Sequence, residues 1–178
     1  MVPERIESLL SIKKGYLVII FLIAIDLVAK FIAEEYLSFG QAVPLIPILD
    51  LLLVFNSGIA FSILDFNNSF LSFGLSVIGI LIVIYLHSLY KNEESLINRS
   101  SLILIISGAL GNIFDRLPDG VVTDFLFFHL GKTPFFIFNF ADAYISIGAA
   151  LFFLTEFKKF LHNRSCLLYT SPSPRDPE

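Results

Sequence analysis

Apolar residues gather along this chain in four runs, at about 15–33, 69–86, 101–117 and 136–157. A hydrocarbon core of roughly 30 Å is crossed by about 20 helical residues, so each run predicts one span, the third at the short limit. Segment 43–64 (VPLIPILDLLLVFNSGIAFSIL) is equally apolar, but Pro44, Pro47 and Gly58 interrupt it too often for a span. It is expected to lie at, or dip into, a membrane interface, where irregular backbone is shielded by protein or water. Residues 121–128 (VVTDFLFF) predict a short extended stretch at the same level. The pattern as a whole predicts an all-α membrane protein, a bundle of four transmembrane helices with a small extracytoplasmic β-like or amphipathic element.

Composition agrees. Of 178 residues, 56% are hydrophobic, 20 are Phe and only 16% are charged, where a soluble domain carries about 25%. Mean hydropathy is +0.80. Basic residues set the expected orientation. Arg5, Lys13 and Lys14 precede the first run; Lys91 and Arg99 lie between the second and third; Lys158, Lys159 and Arg164 follow the fourth. The other two connections hold only Lys132. The positive-inside rule therefore predicts cytoplasmic termini, a cytoplasmic 87–100 loop, and chemistry at the outer face. A signal-peptide reading of the first run fits poorly, since no small-x-small site follows and Asp26 and Lys30 continue the helical pattern.

Residues 1–164 are expected to form a single membrane domain. From Cys166 the tail (CLLYTSPSPRDPE) turns polar and rich in Pro and Ser, so disorder is predicted for 165–178. It resembles a translated adaptor read-through, which would make it a non-native tail with the natural C-terminus missing. Cys166 is the only cysteine, which leaves no disulfide framework and no thiol nucleophile in the body of the chain.

Charged groups inside spans cost about 2.5–3.5 kcal/mol each on insertion scales, so each asks for a reason. Asp26 and Lys30 are four apart on one helix face and are expected to neutralise each other. Asp115 has a cation beside it in Arg116. Asp124 and Asp142 differ: no Lys or Arg lies within four residues of either. Two carboxylates in apolar surroundings at one depth suit acid/base work on an amide, one activating water while a protonated partner polarises the carbonyl. Spacing alone equally allows two unrelated turn or helix-end aspartates. Asp65 and Asp119 fit turns, Glu34, Glu35, Glu93 and Glu94 flank spans as solvated groups, and Asp50 has no evident role. Asn56, Asn112 and Asn139 are amides in apolar company and need hydrogen-bond partners, within a site or between helices. His129 is the one histidine on the outer side, but no serine sits in a nucleophile turn.

Four fragments, in order, resemble the blocks of the type II (lipoprotein) signal peptidases. FNSGIAF resembles N-x-G-x-A-F, GNIFDR resembles G-N-x-x-D-R, VVTDF resembles V-x-D-F, and FNFAD resembles F-N-x-A-D. The resemblance covers roughly residues 16–158. It implies that Asp124 and Asp142 are the catalytic aspartates of a bacterial inner-membrane endopeptidase. It further implies that Asn56, Gly58, Asn112, Asp115, Arg116 and Asn139 line or support the site. Asp26 and Lys30 match a D-x-x-x-K block, although Leu27 and Ala29 stand where that block usually carries polar residues, which bears on a polar role for this helix face. The implied substrate is a diacylglyceryl-modified prolipoprotein, cut before its lipidated cysteine. No cofactor, metal or nucleic acid is implied, and the enzyme is expected to be a monomer among membrane lipid. Two other classes compete: a transporter or proton channel using its carboxylates as a relay, and a membrane subunit whose polar residues only join helices.

Overall fold

A computed structural model describes residues 2–58 and 69–169, with side chains for 12–58 and 72–162. In chain order the elements are α1 (Val2–Tyr36), β1 (Ala42–Ile46), β2 (Leu49–Asn56), α2 (Ser69–Asn92), α3 (Leu96–Asp119), β3 (Val122–Leu130), β4 (Thr133–Phe138) and α4 (Phe140–Tyr169). All four helices are long and apolar enough to cross a membrane. The fourth expected run begins late: 136–138 belong to β4, and the helix starts only after Asn139. α4 continues to Tyr169, so residues 165–169 of the tail expected to be disordered are helical, and the rest of that tail falls outside the described residues.

α3 explains why its run looked short. It is the central helix, packed against α1, α2 and α4, so its inward face touches protein and tolerates Asn98, Ser101, Ser107, Gly108 and Gly111. Ser101 and Ser107 satisfy their hydroxyls on the carbonyls of Ile97 (2.8 Å) and Ile103 (2.6 Å), one turn back. Gly108 lets α4 approach closely, since a Cβ there would sit 2.2 Å from the Ala141 carbonyl oxygen. The helix opens on Ser95 as its cap, with the Glu93 carboxylate accepting from the Ser95 amide at 2.8 Å. The outward faces of α1 and α2 instead carry Leu17, Ile20, Phe21, Phe73, Ile78 and Ile84 exposed, as a lipid solvent requires.

The small element is a four-stranded antiparallel sheet of order β1-β2-β3-β4, so the all-α description holds for the spans only. Segment 43–64 is where expectation and structure part. Its first half is a hairpin rather than irregular interfacial chain, because Pro44 sits on the edge strand β1, where a missing amide costs no inner ladder bond, and Pro47 falls in the turn. Residues 59–64, which include Ala60 and Phe61 of FNSGIAF, lie outside the described residues, as does Asp65. The stretch expected to be extended at 121–128 is β3, paired with β2 so that Asp124 faces Val54. One hairpin joins α1 to α2 and the other joins α3 to α4, so the sheet gathers at one end of the helices. Leu53, Phe125 and Leu126 bury there against Ala33 of α1. The α2–α3 turn, the first turns of α1 and the last turns of α4 lie at the opposite end, and Ile19, Tyr90, Leu102 and Ile106 form a buried cluster between helices.

Candidate active site

The sheet end of the bundle gathers the residues singled out above. β3 carries Asp124, buried at 3% exposure. α4 begins at Asn139 with a reciprocal cap: the Asp142 amide donates to Asn139 Oδ1 (2.9 Å) and the Asn139 amide donates to Asp142 Oδ2 (3.3 Å). Asn139 also donates from Nδ2 to Asp124 Oδ1 at 2.7 Å. One asparagine thus holds both carboxylates. Each aspartate has a further donor: Asn56 Nδ2 reaches Asp124 Oδ2 at 3.0 Å, and Asn112 Nδ2 reaches Asp142 Oδ1 at 2.7 Å. Asn56 is itself fixed by an Asx turn in which it accepts from the Gly58 amide (2.8 Å), and Gly58 sits at φ +85°, a conformation that disfavours a side chain.

Beneath the pair lies a buried ionic layer. Lys30 Nζ is 2.8 Å from Asp26 Oδ2 and 3.1 Å from Asp115 Oδ2, and it donates to Asn112 Oδ1 at 2.9 Å. The expected Asp26–Lys30 pair is therefore present and wider than a pair. Its polar role survives the apolar Leu27 and Ala29, because Asp26 and Lys30 are themselves fully buried and find their partners on α3 and α4. Asp115 pairs with Lys30 rather than with its neighbour Arg116, which the helix turns to another side. The free Asp26 oxygen accepts from the Ala141 amide (2.8 Å), and Asp115 accepts from the Thr123 amide (2.8 Å), so the layer positions the chain beside each candidate aspartate. Gly111 makes room for it: a Cβ there would lie 2.8 Å from Asp26 Oδ2.

Electrostatically the two candidate aspartates are coupled. Burial pushes the Asp124 carboxyl up to about 6, and repulsion from Asp142 adds to it, while Asn56, Asn139 and Lys30 pull it the other way. Arg116 lies within electrostatic reach of Asp115, Asp124 and Asp142, with its Nε buried and without a partner among the described residues. A carboxyl that holds its proton near pH 6 beside a second carboxylate is equipped to take a proton from water and to give one to a carbonyl oxygen.

Residues 18–158 match the family described as Signal peptidase (SPase) II. The chain belongs to the signal peptidase II family. Members similar to it include the lipoprotein signal peptidases of Bartonella tribocorum, 37% identical over 83% of this chain and 88% of that one, and Bartonella bacilliformis, 38% identical over 85% and 90%. The Brucella ovis lipoprotein signal peptidase is 38% identical over 79% of this chain and 87% of its own. Among solved structures, one described as a bacterial membrane enzyme matches with a TM-score of 0.73 at 26% identity, covering 94% of this chain and 96% of that one. A second, described in the same words, gives 0.72 at 29% identity over 83% and 94%. Membership makes the chain a multi-pass membrane protein of a protease family, and the relay and subunit readings lose their ground.

Some contacts escaped the sequence of this signal peptidase II member. Glu34, expected to be solvated, accepts from the Thr123 hydroxyl at 2.5 Å and so pins the residue before Asp124. Glu93 serves the α3 cap. Asp50, without a role in the sequence, is 3.2 Å from His129 Nε2 across the β2–β3 pair. The partners of Glu34 and Asp50 lie far along the chain, so no local spacing announces them, whereas Glu93 acts on its own neighbour Ser95. Asp119 does stay local, accepting from the Val121 amide in a turn.

Proposed function

We propose that this chain removes signal peptides from diacylglyceryl-modified bacterial prolipoproteins as an aspartyl endopeptidase, with Asp124 and Asp142 as its catalytic pair. The observation that carries the reading is Asn139, whose amide groups donate to both carboxylates at once. That geometry supports a pair sharing one proton. The ionised carboxylate takes a proton from a water, whose oxygen adds to the scissile carbonyl carbon. The protonated carboxyl gives its proton to the carbonyl oxygen. Collapse of the tetrahedral intermediate breaks the C–N bond, and the pair returns a proton to the leaving amine of the lipidated cysteine. The two aspartates titrate as one unit, so base and acid are roles of the pair. Asn56, Asn112 and Asn139 hold the carboxylates, Gly58 shapes the turn that aims Asn56, Arg116 offsets their charge, and Asp26, Lys30 and Asp115 brace them from below.

A signal peptide is itself an apolar helix, so its protease works from within the bilayer, with the bond to be cut near an interface where water enters. The basic residues at the opposite end support an orientation with the sheet end at the outer face of the cytoplasmic membrane and both termini inside. One copy is taken to suffice, since a single chain supplies both aspartates and the side chains that hold them. Val43, Leu45, Ile46 and Ile48 of the first hairpin are exposed and form a surface against which the lipid-bearing segment rests. The test is purified protein with a diacylglyceryl-modified prolipoprotein and its unmodified counterpart, products read by mass spectrometry. Release of a signal peptide ending just before the cysteine, from the modified substrate alone, is expected. Cleavage elsewhere, or equal cleavage of both, would overturn the assignment.

A further inference from the structure

The end of the bundle opposite the sheet carries a second feature, which the proteolytic reading does not use. Val83, Ile84, His87, Ser88 and Lys91 line an open groove of about 450 Å³ along α2. These positions repeat at helical spacing, so they form one stripe, apolar toward the middle of the span and polar toward its end. Lys91 stands in the last turn of α2, and His87 lies about 6 Å deeper at 1.5 Å per residue. Among the described residues Lys91 meets no acid within ion-pair distance. His87 is held in place by Tyr16 of α1, whose hydroxyl is 3.0 Å from Nε2, with the two rings edge to face.

We propose that this groove binds an anionic phospholipid, its phosphate at His87, Ser88 and Lys91 and an acyl chain along Val83 and Ile84. The argument is one of charge and depth. An unpaired ammonium at headgroup level, with a hydroxyl and an imidazole one turn inward and aliphatic wall beyond, matches a headgroup followed by its chain. Lys13, Lys14, Arg99, Lys158 and Lys159 belong to the same end by topology. Of the acids there, Glu156 pairs with Lys159 at 2.7 Å, Glu93 is engaged at the α3 cap, and Glu94 in the α2–α3 turn is exposed and makes no ion pair with Lys91. The carbonyl end of α2 disfavours an anion, and Lys91 in its last turn offsets that.

The experiment is native mass spectrometry of the detergent-purified protein titrated with phosphatidylglycerol or phosphatidylcholine. The wild type is expected to retain phosphatidylglycerol in preference to phosphatidylcholine. Lys91→Gln should weaken that retention about five-fold, the worth of one lysine at a membrane surface. Ser88→Trp, which fills the groove without changing charge, should weaken it too, while Lys132→Gln at the sheet end should not. Equal retention of the two lipids, no effect of Lys91→Gln, or an equal effect of Lys132→Gln would overturn the proposal. Circular dichroism of each variant separates lost binding from lost fold.

Discussion

Replacing Asn56 by Leu removes one donor from Asp124 at nearly constant volume. Asn56 Nδ2, itself exposed, lies 3.0 Å from Oδ2 of the buried Asp124. A hydrogen bond to a charged acceptor contributes about 1.5–3 kcal/mol. At 1.36 kcal/mol per pH unit, that corresponds to a shift of about 1–2 units. The sign follows from which form the bond favours: it stabilises the anion, so its loss lets the carboxyl keep its proton to higher pH. Asp124 starts at about 6. If the active pair holds one shared proton, the alkaline limb of kcat/KM marks its loss, and the limb should move from near pH 6 to about 7–8 in Asn56→Leu. The assay is cleavage of diacylglyceryl-modified prolipoprotein across pH 4–9, with the fold checked by circular dichroism at each end. A limb that stays near 6 while the rate falls, or one that moves to lower pH, would refute the shared-proton argument.

Lys30→Met should lower stability by about 3–5 kcal/mol, since it leaves Asp26 and Asp115 buried without their cation, and thermal unfolding in detergent would show it. Gly108→Val should lower the unfolding temperature by obstructing Ala141, at a cost of about 1–3 kcal/mol, whereas Gly74→Ala, which meets nothing within 4 Å, should not. Changing Val43, Leu45 and Ile46 together to Ser should reduce the preference for lipidated over unlipidated substrate while circular dichroism stays unchanged. A preference that survived would remove the hairpin from substrate recognition.

Much of this architecture is written locally, and features set by pairing with distant segments are the less legible part. The spans follow from runs of apolar residues, and Asn139 with Asp142 sits where a capping box opens α4. Segment 43–64 was harder, because a continuous apolar run has no period of two by which to identify a strand. Its hairpin is set by pairing with β3, some 70 positions on, and by an edge location that tolerates Pro44. The candidate site shows the same division. Asp26 and Lys30 are legible as a pair from their spacing, but the third member, Asp115, is joined only by the packing of α3 on α1. Adjacency suggested Arg116 as the partner of Asp115, yet neighbours on a helix point about 100° apart and do not face each other. Glu34 and Thr123 meet for the same tertiary reason.

The central claim, that Asp124 and Asp142 work as one catalytic pair, is tested most directly by single substitution. Wild type, Asp124→Asn and Asp142→Asn would be purified in detergent and given the same diacylglyceryl-modified prolipoprotein, with unfolding temperatures measured alongside. The account predicts cleavage by the wild type and its loss, by about a thousandfold or more, in both variants at retained stability. Cleavage at wild-type rate by either folded variant would contradict it.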